Sequence, residues 1–219
     1  DYFLRGMARF HAGGQENFET ALARFRKAIE LDPDYASAYG MAAWSLFWRR
    51  LNGWSTNPEH DTAEGARLAR AAVDLGKTDA VALTRGGHAL AHFTRDLDTG
   101  VDFIDKALVL NPNLAAAWFL GGFLRIWRGE PEEAIKRFEH AMRLSPLDYE
   151  MFRMQMGIGM AHLMAKRFDE ARTWAEKSFR DVPIFPMSAA VIASSSAHAG
   201  RTDDARRAID DVRRLDPTL

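Results

Sequence analysis

His88 and His92 lie four residues apart in the segment His-Ala-Leu-Ala-His. On a helix this spacing puts both imidazoles on one face, so the pair is the best candidate for a metal site in the sequence. The segment lacks the glutamate of a zinc hydrolase, and no third ligand is evident. We therefore expect two imidazoles that pack between helices or face a groove, with no metal or other cofactor.

Two further groups of residues have the types that catalysis needs but not the arrangement. Ser194–Ser196 and His198 offer a hydroxyl and a base, yet they fall in a predicted helix without the sharp turn that exposes a nucleophile. The glycine pairs Gly13-Gly14 and Gly121-Gly122 lack the lysine and the preceding strand of a phosphate-binding loop. The sequence contains no cysteine. We therefore predict that this chain is not an enzyme and that any catalysis belongs to another domain.

Large side chains recur at steps of four along four predicted helices, which places each set on one helical face. The ladders are Trp44 and Trp48; His88 and His92; Phe119, Phe123 and Trp127; and Met156, Met160 and Met164. Facing a groove, they would anchor an apolar peptide or helix. Facing a neighbouring helix, they would be ordinary core. Both interpretations stay open at this point, and exposure separates them.

Composition narrows the classes of function. The chain has 29 basic and 30 acidic residues, a net charge of -1, 47% hydrophobic and 27% charged residues. A nucleic-acid binder would normally show a basic excess, so we expect no nucleic-acid partner for this domain. No apolar run reaches the roughly 18 residues that a membrane span needs. We therefore expect no membrane partner and a cytoplasmic location.

A repeated pattern indicates how these residues are positioned. A small residue is followed four and seven positions later by two further apolar or small residues, and a helix terminator comes about five residues after the last of them. The copies are Ala21, Phe25, Ala28 and Pro33; Gly65, Ala69, Ala72 and Lys77; Gly100, Ile104, Ala107 and Pro112; Ala134, Phe138, Ala141 and Pro146; Ala171, Ala175, Ser178 and Pro183; and Ala205, Ile209, Val212 and Pro217.

Each copy needs a partner helix upstream, and the fourth copy shows it most clearly. Trp118, Gly121 and Gly122 precede Gly129 at the turn and Ala134 on the second helix. With terminators spaced mostly 34 or 35 residues apart, this pattern resembles the tetratricopeptide repeat. The resemblance implies an all-α, right-handed superhelical solenoid of about six helix-turn-helix pairs. The last helix, with its narrow apolar stripe, is expected to cap the array.

The resemblance also implies a domain organisation and a function. We expect a single solenoid domain over residues 1–219, with repeats at roughly 1–33, 34–78, 79–112, 113–146, 147–183 and 184–217. In this family the first helices line a concave groove that binds a protein or peptide segment. The residues expected to contact it are Trp44, Trp48, His88, His92, Phe119, Phe123, Trp127, Met156 and Met160. Gly40, Trp44, Thr84 and His88 occupy the positions of the carboxylate clamp of chaperone-binding members, so a chaperone tail is not expected.

Two repeats depart from the regular length. The first has extra residues in its turn, at Gly13–Asn17, and the second has about ten more between its helices, around Leu51–Asp61. Insertions in a solenoid map to loops, so we expect loops at both places. Together with the opening Tyr2–Gly6, this arrangement resembles the tetratricopeptide regions at the carboxyl ends of bacterial adenylate/guanylate cyclases and winged-helix transcriptional activators. The first residue, Asp1, suggests a fragment of a longer protein.

That resemblance predicts a regulatory or sensory module. In the alternative hypothesis the chain is a small-molecule sensor: Trp44, Trp48 and Trp54 in the second repeat would close over an apolar or cationic ligand and relay its presence to a fused output domain.

Overall fold

The computed structural model describes residues 1–216, and all regular secondary structure in that range is helical. The chain separates into two compact units, Asp1–Leu120 and Gly121–Leu219. The first contains α1 (Tyr2–Ala12), α2 (Gln15–Leu31), α3 (Ala36–Leu51), α4 (Pro58–Leu75), α5 (Ala80–Thr94) and α6 (Leu97–Leu110). The boundary falls within α7 (Ala115–Trp127), and the second unit continues with α8 (Pro131–Leu144), α9 (Met151–Met164), α10 (Phe168–Asp181), α11 (Pro186–His198) and α12 (Thr202–Leu215).

The all-α fold of repeated helix pairs is confirmed. The small residues of the six copies lie on α2, α4, α6, α8, α10 and α12, where the sequence placed the second helices. Pro217, the last expected terminator, lies outside the described residues. The single domain over residues 1–219 stays a prediction. Within residues 1–216, each helix is too short or too polar to cross a bilayer.

The extra residues of the first two repeats mostly extend helices, which corrects the expectation of long loops. α2 begins at Gln15, so only Gly13 and Gly14 form the first turn. α4 begins at Pro58, because Asn57 caps it by accepting a hydrogen bond from the backbone of His60 at 3.1 Å. Proline suits a first helical position, where no backbone donor is needed. The remaining loop is residues 52–57.

Close approach between helices depends on glycines that face phenylalanine rings. In the first unit, a Cβ added at Gly6 would lie 2.6 Å from the ring of Phe25. In the second unit, Phe138 fills the space above two glycines: a Cβ at Gly122 or Gly157 would lie 2.7 or 2.5 Å from its ring. Phe25 and Phe138 are fully buried. The absence of a side chain on one helix therefore makes room for the ring on another.

A serine joins three helices of the second unit. Ser178, on α10, occupies the position that is alanine in most other copies of the pattern. Its hydroxyl donates to the carbonyl of Phe152 on α9 at 2.6 Å and lies 2.7 Å from the hydroxyl of Ser188 on α11. Ser178 and Ser188 are both fully buried. The hydrogen bonds satisfy these polar groups, so the serine costs little as a core residue.

Ion pairs connect successive turns of the second unit. Arg167, just before α10, donates to Glu132 on α8 at 2.5 Å, and Arg201, just before α12, donates to Asp169 on α10 at 2.6 Å. The hydrogen bond from Arg167 lowers the pKa of Glu132. These pairs are exposed, so each contributes little to stability and is weakened by salt.

Gly157→Ala should lower the free energy of unfolding by about 1–3 kcal/mol, because the new methyl group would overlap the Phe138 ring. Phe138→Leu removes that overlap, so the double variant should be more stable than the sum of the two single losses predicts. Urea denaturation of all four proteins measures this coupling. Strictly additive losses would show that the ring does not limit the space at Gly157.

Lys166 lies two residues after the end of α9 and is in the left-handed region, with φ 60°. Gly129 and Gly200 occupy the equivalent turns, with φ 79° and 75°. A side chain in this conformation is strained, so Lys166→Gly should raise the free energy of unfolding by roughly 0.5–1 kcal/mol. Lys136→Gly, inside α8, is the matched control and should lower it by about 1 kcal/mol. A loss of stability in both variants would contradict the strain at Lys166.

Candidate binding face of the first helices

The predicted site residues lie on the odd-numbered helices, which are the first helices of their pairs. Trp44 and Trp48 are on α3, and His88 and His92 are on α5; α3 packs directly against α5 in the first unit. Their exposure is therefore decided by how closely these two helices approach. Gly40 on α3 favours a close approach, since a Cβ there would lie 3.3 Å from the Cβ of Arg85 on α5.

An aromatic cluster fills the seam between α3 and α5. The rings of Trp44 and Phe47 stack at 4.5 Å, and His88 meets them edge-on at 4.9 and 5.2 Å. The guanidinium of Arg85 lies 4.9 Å from the Trp44 ring centre, a cation–π contact. Trp44 and His88 are 0% exposed. These two predicted groove residues are therefore core, which corrects the expectation that they reach a partner.

Trp48 meets Trp44 edge-on at 6.1 Å and also contacts α2. Its ring stacks on Phe18 of α2 at 5.6 Å, and Trp54 from the loop after α3 lies 5.7 Å from the same ring. Both tryptophans are half-buried. Trp48 and Trp54 thus share Phe18, whereas Trp44 faces α5. Trp54 thereby holds the loop after α3 against α2, and the sensor hypothesis for the three tryptophans stays a prediction.

A long-range ion network holds the end of α3. Arg49 Nε donates to Glu19 on α2 at 2.7 Å, and its Nη1 donates to Asp61 on α4 at 3.1 Å. Asp61 is buried and Arg49 is half-buried, so these charges are better shielded from water than the surface pairs. One arginine therefore connects the three helices around the loop.

His92 lies at the rim of the aromatic cluster and is half-buried. Its ring meets Phe47 edge-on at 4.7 Å. Burial, with the nearby charges of Arg95 and Arg50, lowers the pKa of His92 from 6.5 to about 4. His92 is therefore neutral at neutral pH. Within residues 1–216, no cluster of three or more histidines or carboxylates is arranged to hold a metal ion.

The second unit has its own buried set. Phe123 on α7 packs edge-on against Phe138 at 5.0 Å, and the guanidinium of Arg153 on α9 lies 5.6 Å from the Phe123 ring centre. Arg153 forms a buried ion pair with Glu150. Met156 is also buried.

Phe119 at the end of the first unit is buried as well. Burial therefore corrects the expectation of an exposed face for Phe119, Phe123 and Met156, as it does for Trp44 and His88.

Three accessible residues of the second unit occupy equivalent positions on successive first helices. Trp127, Met164 and His198 each follow the small residue of their helix by five positions, so they occupy equivalent sites on α7, α9 and α11. Trp127 is 38% exposed, Met164 is 44% exposed, and His198 is exposed while stacking on Phe168 at 5.0 Å. Met160 is half-buried. We call Trp127, Met160, Met164 and His198 the accessible row.

Trp127 and Met160 are among the contacts expected from the sequence, whereas His198 and Met164 are not. Steps of four along one helix mix buried and exposed positions, as Phe123 and Trp127 show. The signal that identifies His198 is the five-residue offset from Gly122, Gly159 and Ala193, compared between helices rather than within one.

Acidification should destabilise the first unit through His92. Unfolded His92 takes up a proton near pH 6.5, whereas folded His92 does so only near pH 4. The free energy of unfolding therefore falls as the pH drops from 6.5 to about 4, and the contribution of neutral His92 is fully present above pH 6.5. The shift corresponds to about 3 kcal/mol, and we expect roughly 1–2 kcal/mol because part of the ring contacts water.

Urea denaturation from about pH 7 to about pH 4.5 measures this loss. His92→Gln should flatten the profile, whereas His11→Gln, at an exposed site on α1, should leave it unchanged. An unchanged slope in the His92 variant would exclude this residue as the cause.

Comparison with known proteins agrees with the geometry. The family model described as tetratricopeptide repeat matches residues 128–183. Mitochondrial import receptor subunit TOM70 of Rattus norvegicus is 22% identical over 153 residues, which cover 70% of this chain and 23% of the receptor. The Mus musculus protein matches to the same extent. This chain thus spans about a quarter of the length of these curated relatives.

Solved structures share the fold at low sequence identity. PilW, a widely conserved type IV pilus biogenesis factor, superposes with a TM-score of 0.72 at 14% identity, covering 100% of this chain and 93% of PilW. The hetero-tetramer Cut9-Hcn1 of the APC/C gives 0.79 at 14% identity, covering 100% of this chain and 40% of the matched one. Residues 128–183 therefore match the tetratricopeptide repeat, and the chain as a whole shares the all-α repeat fold of these structures.

Proposed function

We propose that this chain is a protein- or peptide-binding scaffold, which serves as a regulatory module of a larger protein and binds its partner through the accessible row. The observation that carries the proposal is the equivalent placement of exposed Trp127 and Met164 on successive first helices. A tryptophan and flexible methionines provide apolar contact area that adapts to the shape of a partner. An apolar segment fits such a surface best.

The repeat architecture supports this proposal. Solenoids of helix pairs present extended surfaces for binding, and the relatives include an import receptor subunit. Phe123 and Met156 lie on the same helices as Trp127 and Met164 and are buried. We propose that they act through the shape of the surface rather than by touching the partner.

Photo-crosslinking tests which face binds. A benzophenone side chain placed at Trp127 or Met164 should crosslink to a defined segment of one partner protein, identified by mass spectrometry. The same group at Val109, which is 85% exposed on α6, is the matched control and should give no such product. Equal crosslinking from all three positions would indicate non-specific contact and contradict the proposal.

The identified segment, made as a synthetic peptide, then provides an affinity measurement. Trp127→Ala with Met164→Ala should weaken its binding at least tenfold, about 1.4 kcal/mol or more, as expected for anchor residues at an interface. Val109→Ala should not change the affinity. Circular dichroism checks that helix content is kept, and unchanged binding by the double variant would remove the accessible row from the interface.

A further inference from the structure

Arg50 and its neighbour Arg49 are in opposite electrostatic situations at the end of α3. Arg49 is paired with Glu19 and Asp61, whereas Arg50 forms no salt bridge with any carboxylate of residues 1–216. The Arg50 Nε is enclosed by protein and has no hydrogen-bond partner among the described residues. The described residues therefore leave the charge of the Arg50 guanidinium uncompensated.

Positive charge accumulates around Arg50. Arg95, which follows α5, is exposed and likewise forms no salt bridge within the described part of the chain. Arg50 follows Phe47 by three residues and Arg95 follows His92 by three residues, and the rings of Phe47 and His92 are 4.7 Å apart where α3 packs against α5. Asp96, next to Arg95, is engaged as the N-cap of α6, where it accepts from the backbone of Thr99 at 3.1 Å. Two uncompensated cations therefore flank one neutral histidine.

A cleft opens beside Arg50. It has a volume of about 360 Å³ and is lined by Arg50, Pro58, Glu59, Thr62 and Ala63. Pro58, Ala63 and the methyl group of Thr62 give it carbon-rich walls. Glu59 is the one carboxylate among these lining residues, and it lies in the first turn of α4, where the amino end of the helix offsets its charge. The volume is at the lower end of the range for small-molecule sites.

We propose that Arg50 and Arg95 form a binding site for an anionic small molecule, with its phosphate or carboxylate group against the guanidiniums and its carbon body in the cleft. Arginine favours these groups because its planar fork can donate two parallel hydrogen bonds to them. The site lies within the first unit and uses none of the accessible row, so it is independent of partner binding. Its ligand also differs from the apolar or cationic molecule of the sensor hypothesis.

Titration calorimetry with phenyl phosphate and with benzoate tests the site in buffers matched for ionic strength with chloride. We expect saturable binding of one probe or both, and their relative affinities distinguish a phosphate from a carboxylate ligand. Arg50→Gln and Arg95→Gln should each weaken the binding at least tenfold. Arg70→Gln, at an exposed position on α4 with no salt bridge within residues 1–216, should leave it unchanged.

His92 supplies a second readout in the same protein. A bound anion offsets the charges of Arg50 and Arg95, so it should raise the pKa of His92, as followed by NMR of the imidazole. Chloride at the same ionic strength should move this pKa less. If Arg50→Gln loses helix content, Arg50→Lys keeps the charge without the fork, and it should still weaken binding.

The absence of saturable binding of either probe would overturn the proposal. So would an equal loss of binding in Arg70→Gln, which would mean that the anions respond to the general charge of the surface. Unchanged binding in folded Arg50→Gln or Arg50→Lys protein would likewise exclude Arg50 from the site.

Discussion

The fold depends on phenylalanine rings that lie where another helix has no side chain. Phe25 occupies the space left by Gly6, and Phe138 occupies the space left by Gly122 and Gly157. Each ring fixes how near two helices can come, and this distance then determines what the other side chains on those helices can reach. The packing therefore tolerates varied surfaces but little change of volume at a few small positions.

The same closeness explains why the aromatic ladders are mostly core. Gly40 lets α3 approach α5, and the seam between them contains Trp44, Phe47 and His88. A ladder with a four-residue step is the same in sequence whether it faces a groove or a neighbouring helix, so periodicity could not separate the two. Gly40, opposite Arg85, allows the two helices to come close enough to bury these rings.

The sequence predicted which residues of each second helix are buried and where that helix ends, because helical spacing and proline determine both locally. Ala134, Phe138 and Ala141 are buried where their spacing placed them, and the helices end near the expected terminators. The contacts of Arg49 could not be predicted in this way, since Glu19 lies 30 residues before it in the chain. Likewise, the expected loop at Leu51–Asp61 is partly helix because the Asn57 cap starts α4 early.

Phe138 belongs to two repeats at once, since Gly122 precedes it in its own helix pair and Gly157 lies in the next. A cut between α8 and α9 would therefore not divide the second unit into self-sufficient modules: one fragment would expose half of the ring, and the other would lose the surface that its glycine needs. Neighbouring pairs should melt together, and a protease that removes α9 should leave an aggregation-prone remainder. The smallest fragment of this region that can fold stably is therefore larger than one repeat.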